Sequence, residues 1–269
     1  MDVTSVSAAT QGPELSAKVP PPHLVNHGGK ILENPKFVSI YYGPYWTSTA
    51  KGKSDADYLN HFGEYLVGSP HLGTWEEYGV KSASYGGSTF TRGTPQRVID
   101  EHDVQQIVWN ELRGQTVSPA DGETVYTVYL PPGMELRAPD DTSSFDGLGG
   151  YHGSMLDRNG TPIYYAAIVY SQGENGIPFS EKPRDNITIT ASHEWAEAAT
   201  DPDVNRSRIA WYDRNYGEVG DIPIAMGLPP EEIWGRLGGY AIQKEWSNRD
   251  NRPELVPKHA DSVLDSTVQ

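Results

Sequence analysis

The chain contains no cysteine. That excludes disulfides, thiolate metal sites and a cysteine nucleophile, so any metal must be held by histidine and carboxylate groups. Positive charge is also scarce: 21 Lys and Arg against 36 Asp and Glu leave a net charge of -15. A nucleic-acid binder needs a basic surface, so that class is set aside, and an anionic membrane would repel this chain. No stretch approaches the roughly 18 apolar residues of a membrane span. The N-terminus lacks a basic segment followed by an apolar run, so no signal peptide is visible, and one removed before Met1 would leave the same sequence.

Hydrophobic residues make up only 36%, but 16 Tyr, 7 Trp and 5 Phe supply large apolar bodies, and 28 Gly with 21 Pro point to many turns. These features describe a turn-rich globular α+β chain with 269 residues, long enough for a sizeable core. Residues 1–22 are polar and end in Pro20-Pro21-Pro22, a flexible arm. Residues 23–247 are expected to form one domain, and 248–269 a polar C-terminal tail. Strands are expected at 36–42, 125–130, 163–170 and 240–246, and helices at 54–68, 96–113 and 186–200. The Gly-, Ser- and Thr-rich stretch 73–94 reads as a loop or short hairpin.

The 186–200 helix carries the chemistry. Ile187, Ala191, Trp195 and Ala198 form an apolar stripe suited to packing on a sheet, and Thr190, His193, Glu197 and Asp201 lie on the next stripe. His193 and Glu197, four residues apart, point the same way from successive turns, so an imidazole nitrogen and a carboxylate oxygen can reach one ion at about 2.0–2.2 Å. Glu194 lies roughly 100° round the helix, where His-Glu-x-x-His zinc enzymes keep the general base that deprotonates a metal-activated water. Glu197 in place of a second histidine makes the ligand set harder, so Zn²⁺ is expected and Mn²⁺ or Fe²⁺ are admitted. A further ligand should come from Glu218 or Asp221, in the acidic turn after Trp211. Glu218 is favoured as ligand and Asp221 as its partner, with Gly217 and Gly220 allowing close approach. His152, after a Gly-rich loop, is a candidate fourth ligand or transition-state stabiliser, and Tyr212 or Tyr216 a candidate oxyanion donor.

Each of these residues also has a plainer explanation. His-Glu-x-x-Glu occurs on ordinary helix surfaces, Glu218 and Asp221 can be a solvated turn, and His152 can be a hydrogen-bonded structural histidine. His27 reads as a turn residue, and Tyr41, Tyr42, Tyr45, Tyr164, Tyr165 and Tyr170 as core or cleft wall. Ser154 and Ser192 sit in no Gly-x-Ser-x-Gly elbow, which argues against a serine hydrolase.

Taken in order, His27-Gly-Gly, Ile40-Tyr-Tyr-Gly43, Trp46, Val128-Tyr-Leu-Pro-Pro-Gly133, Gly150-Tyr-His152, Ser192-His-Glu-Trp-Ala-Glu-Ala-Ala-Thr-Asp-Pro202, Ala210-Trp-Tyr and Gly217-Glu-Val-Gly-Asp221 resemble the phosphate-induced/EXORDIUM-like family and its bacterial zinc-peptidase-like relatives. The resemblance spans roughly residues 27–246. It implies a secreted, extracellular protein, a single zincin-like domain with a mixed central sheet, His193 and Glu197 as ligands and Glu194 as base. Many members carry cysteines just before the Gly-Tyr-His piece, where this chain reads Ser143-Ser-Phe-Asp-Gly-Leu-Gly-Gly150, which weakens the inference to an oxidising compartment. The resulting expectation is a zinc peptidase with a peptide or protein substrate. The main alternative is a non-catalytic extracellular binding or signalling protein with a structural metal. A carbohydrate-active protein is a third class, requiring two carboxylates about 5–10 Å apart across an aromatic groove and no metal.

Overall fold

β-Branched and aromatic side chains concentrate in Lys36-Phe-Val-Ser-Ile-Tyr41 and Thr124-Val-Tyr-Thr-Val-Tyr129, and both segments are buried inner strands. The computed structural model describes residues 19–258. Of the expected N-terminal arm only 19–22 lie within the described residues, and of the expected C-terminal tail only 248–258.

Five strands form the central sheet: β1 (Lys36–Tyr41), β2 (Ser84–Phe90), β3 (Thr124–Tyr129), β4 (Gly150–Leu156) and β5 (Pro162–Ile168). Their order is β2-β1-β3-β5-β4. The first four in that order run parallel, and β4 lies antiparallel on the edge against β5. The architecture is therefore mixed α/β on a mixed sheet.

Strand periodicity divides the core into two halves. Val125 and Tyr129 of β3 face one side, with Leu59, Phe62 and Leu66 of helix α1 (Ala50–Val67) and Trp195 of helix α3 (Pro183–Thr200). Tyr126 and Val128 face the other, with Val104 and Val108 of helix α2 (Glu101–Gly114). Parallel strands need both faces covered, and these helices cover them. Trp195 fixes α3 to the sheet: its ring stacks on Phe37 at 4.2 Å with an interplanar angle of 8°, and its Nε1 donates to Thr127 Oγ1 at 2.8 Å.

Several elements depart from the sequence reading. The stretch 73–94 was expected to be a loop or hairpin, yet it contains β2. Its weak apolar pattern is that of a sheet edge, and Tyr85 anchors it through hydrogen bonds to Ser39 and Asn60 at 2.9 and 2.8 Å. The helix expected over 96–113 starts at Glu101, because Asp100 and Asp103 form a capping box there and Val98–Ile99 pair with Glu135–Leu136. The motif helix begins at Pro183 rather than 186, with proline in its first turn.

That helix buries far more than one stripe. After Thr200 the chain returns over it as β6 (Trp234–Leu237), β7 (Tyr240–Gln243), β8 (Glu245–Ser247) and β9 (Arg252–Glu254), and every residue from Asp185 to Thr200 except His193 is buried. Residues 248–255, expected in a loose tail, join this cover: β9 pairs with β8, and the Leu255 carbonyl meets His71 Nδ1 at 2.8 Å.

Candidate metal centre

His193, Glu194 and Glu197 project from the middle of α3. His152 faces them from β4, so the residue expected after a loop sits on the sheet's edge strand. The acidic turn after Trp211 closes the third side. There Gly217, at φ +92°, adopts a left-handed conformation, and Asp221 Oδ2 accepts from the Glu218 N–H at 3.1 Å. Gly220 lies against the imidazole of His193, where a Cβ would come within 2.4 Å of Nδ1.

Two groups of potential ligands result, and they share Glu197. His193, Glu197 and Asp221 form one; His152, Glu197 and Glu218 form the other; within each, ligand atoms lie within 4.8 Å of one another. His193 Nε2 is 3.1 Å from Glu197 Oε2 and 3.8 Å from Asp221 Oδ1. Asp221, rather than the favoured Glu218, is thus the acidic partner of His193. His152 presents Nδ1 to Glu194 Oε2 at 3.3 Å and to Glu197 Oε2 at 3.6 Å, and Nε2 to Glu218 Oε1 at 3.5 Å. Glu197 Oε1 and Glu218 Oε1 are buried without any hydrogen-bond partner. Oxygen atoms left unsatisfied beside imidazoles are what a cation site looks like before its ion, since a buried acceptor otherwise needs a donor. These groups can hold a metal ion, and the donor set leaves its identity open.

Charge crowding shapes the centre. Burial pushes Glu197 up to about 7, with Asp221 adding to the rise and His193 opposing it. Burial likewise raises Glu218 well above the usual carboxylate range, reinforced by Glu197 and Asp201. Asp201 is raised to about 6 by burial, although its carboxylate accepts the Ala210 N–H at 2.8 Å. Burial works against charge on His193 too, but Glu197, Glu194 and Asp221 hold its pKa well above the ordinary imidazole value. His152 follows the same pattern: burial opposes its charge, and Glu194 and Glu197 raise it.

Residues the sequence did not single out complete the site. Gln243 on β7 reaches under His193: its Nε2 lies 2.9 Å from Nδ1 and 2.5 Å from the Gly220 carbonyl. The Gly220 carbonyl holds that amide with its nitrogen toward the ring, since an oxygen there would meet the carbonyl oxygen at the same short distance. Glu245 on β8 lies deeper, fully buried with both oxygens unpartnered. No spacing rule connects either residue to the helix motif, because two separate strand pairs bring them in. Tyr216, the expected oxyanion donor, packs its ring against the main core and lines neither cavity at the site. Tyr212 is the tyrosine within electrostatic reach of Glu218, Asp221 and Glu197.

Two cavities meet at Gly150, His193, Glu194 and Asp221. One, of about 190 Å³, is walled by Leu148, Ile177, Phe179 and Ile224; the other, of about 330 Å³, by His152, Asn205, Glu218 and Pro139. Together they form a cleft along β4. The Val169 N–H donates to the Gly149 carbonyl at 2.9 Å, so by antiparallel alternation Gly150, His152 and Ser154 turn their N–H and C=O groups outward. Asn205 satisfies those of Ser154 at 2.9 and 3.0 Å. His27, expected in a turn, sits beside Gly28 (φ +87°) and donates its N–H to Ala210. No protein-family model matches this chain, and no curated protein matches it.

Proposed function

We propose that this protein is a metal-dependent hydrolase of peptide bonds, zincin-like in the relation of helix to edge strand, and that it is an extracellular relative of the phosphate-induced/EXORDIUM-like proteins. The observation that carries the hydrolytic reading is the position of Glu194. It neighbours His193 on α3 and lines both cavities at their junction, so a carboxylate and a ligand group face the same cleft. His193, Glu197 and Asp221 would hold the cation. Zn²⁺ fits that set, and with two carboxylates so do Mn²⁺ and Fe²⁺. When bound, such an ion polarises a scissile carbonyl and makes a neighbouring water more acidic.

The chain's own groups supply the rest. Glu194 accepts the proton of the attacking water and delivers it to the departing amine. His152 Nδ1, 3.3 Å from Glu194 Oε2, orients that carboxylate. The outward N–H and C=O groups of Gly150 and His152 suit an extended peptide laid along β4, and the apolar cavity beside them suits a hydrophobic side chain.

A second reading, a binding protein with a structural metal, draws support from Glu194 being only 3% exposed and set against His152. Glu194→Gln separates the two. The hydrolase reading predicts that the variant keeps its fold and metal content while peptide cleavage falls by roughly 10²–10⁴-fold. Cleavage retained at the wild-type rate would exclude Glu194 as base, and a wild-type protein that binds metal yet cleaves no peptide would favour the structural role.

A further inference from the structure

Glu197 belongs to both ligand groups. Its Oε2 lies 3.1 Å from His193 Nε2 and 3.6 Å from His152 Nδ1, between two histidines contributed by different elements. Glu194 spans the same gap, with Oε2 3.3 Å from His152 Nδ1 and Oε1 3.9 Å from His193 Nε2. We propose that the centre holds two divalent cations bridged by Glu197, one between His193, Glu197 and Asp221 and the other between His152, Glu197 and Glu218. This inference rests on the reading of the first group as the metal site and adds a second ion to it.

Three observations point to the second ion. His152 is buried, and both of its nitrogens face oxygen acceptors only: Glu194 and Glu197 on one side, Glu218 and the Asp201 carbonyl on the other, the last at 3.2 Å. With Nδ1–H directed to Glu194, the Nε2 lone pair of a neutral imidazole meets the oxygens of Glu218 and the Asp201 carbonyl, so either a second ring proton or a cation has to stand there. Glu218 is only 6% exposed, and its Oε1 faces His152 without a hydrogen-bond partner. It lies outside the His193 group, so one ion there leaves it uncompensated. Finally, Glu194, Glu197, Asp201, Glu218, Asp221 and Glu245 influence one another across the site, and among the described residues none of them pairs with a lysine or arginine. Five of the six are buried, Asp221 being partly exposed; buried carboxylates in that number need cationic partners, and the two imidazoles are too few. Each pocket offers one nitrogen and two carboxylates, a set suited to Mn²⁺, Fe²⁺ or Zn²⁺, and two-metal sites with shared ligands place their ions about 3.5–4 Å apart.

The test is Mn²⁺ titration of the full chain after chelator treatment, with bound metal counted by elemental analysis and its coupling read by electron paramagnetic resonance. The wild type should take up two Mn²⁺ per chain and show an exchange-coupled spectrum. Glu218→Gln and His152→Gln should each bind one Mn²⁺ with an uncoupled signal, as should Asp221→Asn. One Mn²⁺ per chain in the wild type, unchanged in Glu218→Gln, overturns the second site and leaves the hydrolase reading standing. Two ions in the wild type that persist in both Glu218→Gln and His152→Gln also overturn it. No bound Mn²⁺, Zn²⁺ or Fe²⁺ in the wild type overturns this inference and the metal-dependent reading together. If the variants fail to fold, the wild-type stoichiometry and coupling decide the question alone.

Discussion

Replacing Gly220 by alanine tests whether His193 is a ligand without altering any ligand. The backbone there, φ -84° and ψ -26°, suits alanine, so the change carries no conformational penalty. At compatible sites Gly→Ala stabilises by roughly 0.4–1 kcal/mol through the unfolded chain. The cost is steric: the new methyl would lie 2.4 Å from His193 Nδ1 and 2.9 Å from Cε1. Non-bonded heavy atoms prefer roughly 3.5–4.0 Å, so the ring must retreat by about 1 Å. Ligand bonds tolerate only about 0.2 Å. Disturbing the groups that orient a ligand typically costs about 10–100-fold in metal affinity, or roughly 1.4–2.8 kcal/mol. Competition of the purified variant against a chromophoric chelator should show a loss of at least that size, and the same clash should lower the metal-free stability by roughly 1–3 kcal/mol, less what the glycine replacement gains. A folded variant that binds metal as tightly as the wild type would refute the placement of His193 on the ion.

Other outcomes follow from burial and charge. Glu197 moves from an ordinary 4.5 to about 7 on folding, so the folded chain binds more protons across that window, and metal-free stability should fall as pH rises through it. The raised values of His152 and His193 act in the same direction, since their contribution is complete below about 6.5 and is lost as pH climbs through their folded values. Metal binding displaces these protons, so melting temperatures with chelator should drop between about pH 5 and pH 8, whereas those of the metal-saturated protein should rise as the unfolded chain's histidines lose their protons. Glu245→Gln removes a fully buried carboxylate that burial holds well above its usual range, with His71 Nε2 no closer than 3.9 Å. It should raise the metal-free melting temperature at pH 8 by about 2–4 °C per kcal/mol relieved and do little at pH 5. Trp195→Ala removes the ring stacked on Phe37 and the bond to Thr127, and urea unfolding should show a loss of about 3–5 kcal/mol.

The sequence carried the motif helix and the inner strands most clearly. Period-3.6 and near-continuous apolar patterns are strong over residues 186–200, 125–130 and 163–170, and the structure places α3, β3 and β5 there. It was weakest at the two edges of the sheet. Ser84-Tyr-Gly-Gly-Ser-Thr-Phe90 pairs on one side only and so needs little apolar character, and Gly150-Tyr-His152 looks like a loop because its glycines serve a close approach to α3. At the site, the acidic turn was legible as a source of ligands, but its internal order was not. Asp221 opens a short helix and turns toward His193, whereas Glu218 is directed to His152. Gln243 and Glu245 were invisible because tertiary packing, with no local spacing rule, brings β7 and β8 to α3.

Anomalous diffraction from crystals of the zinc- or manganese-loaded protein, collected on both sides of the metal's absorption edge, bears most directly on the central claim. A peak within about 2.0–2.2 Å of His193 Nε2 and of carboxylate oxygens from Glu197 and Asp221 is the predicted result. Fully loaded crystals with no peak there, and with His193 bonded to Glu197 alone, would contradict it.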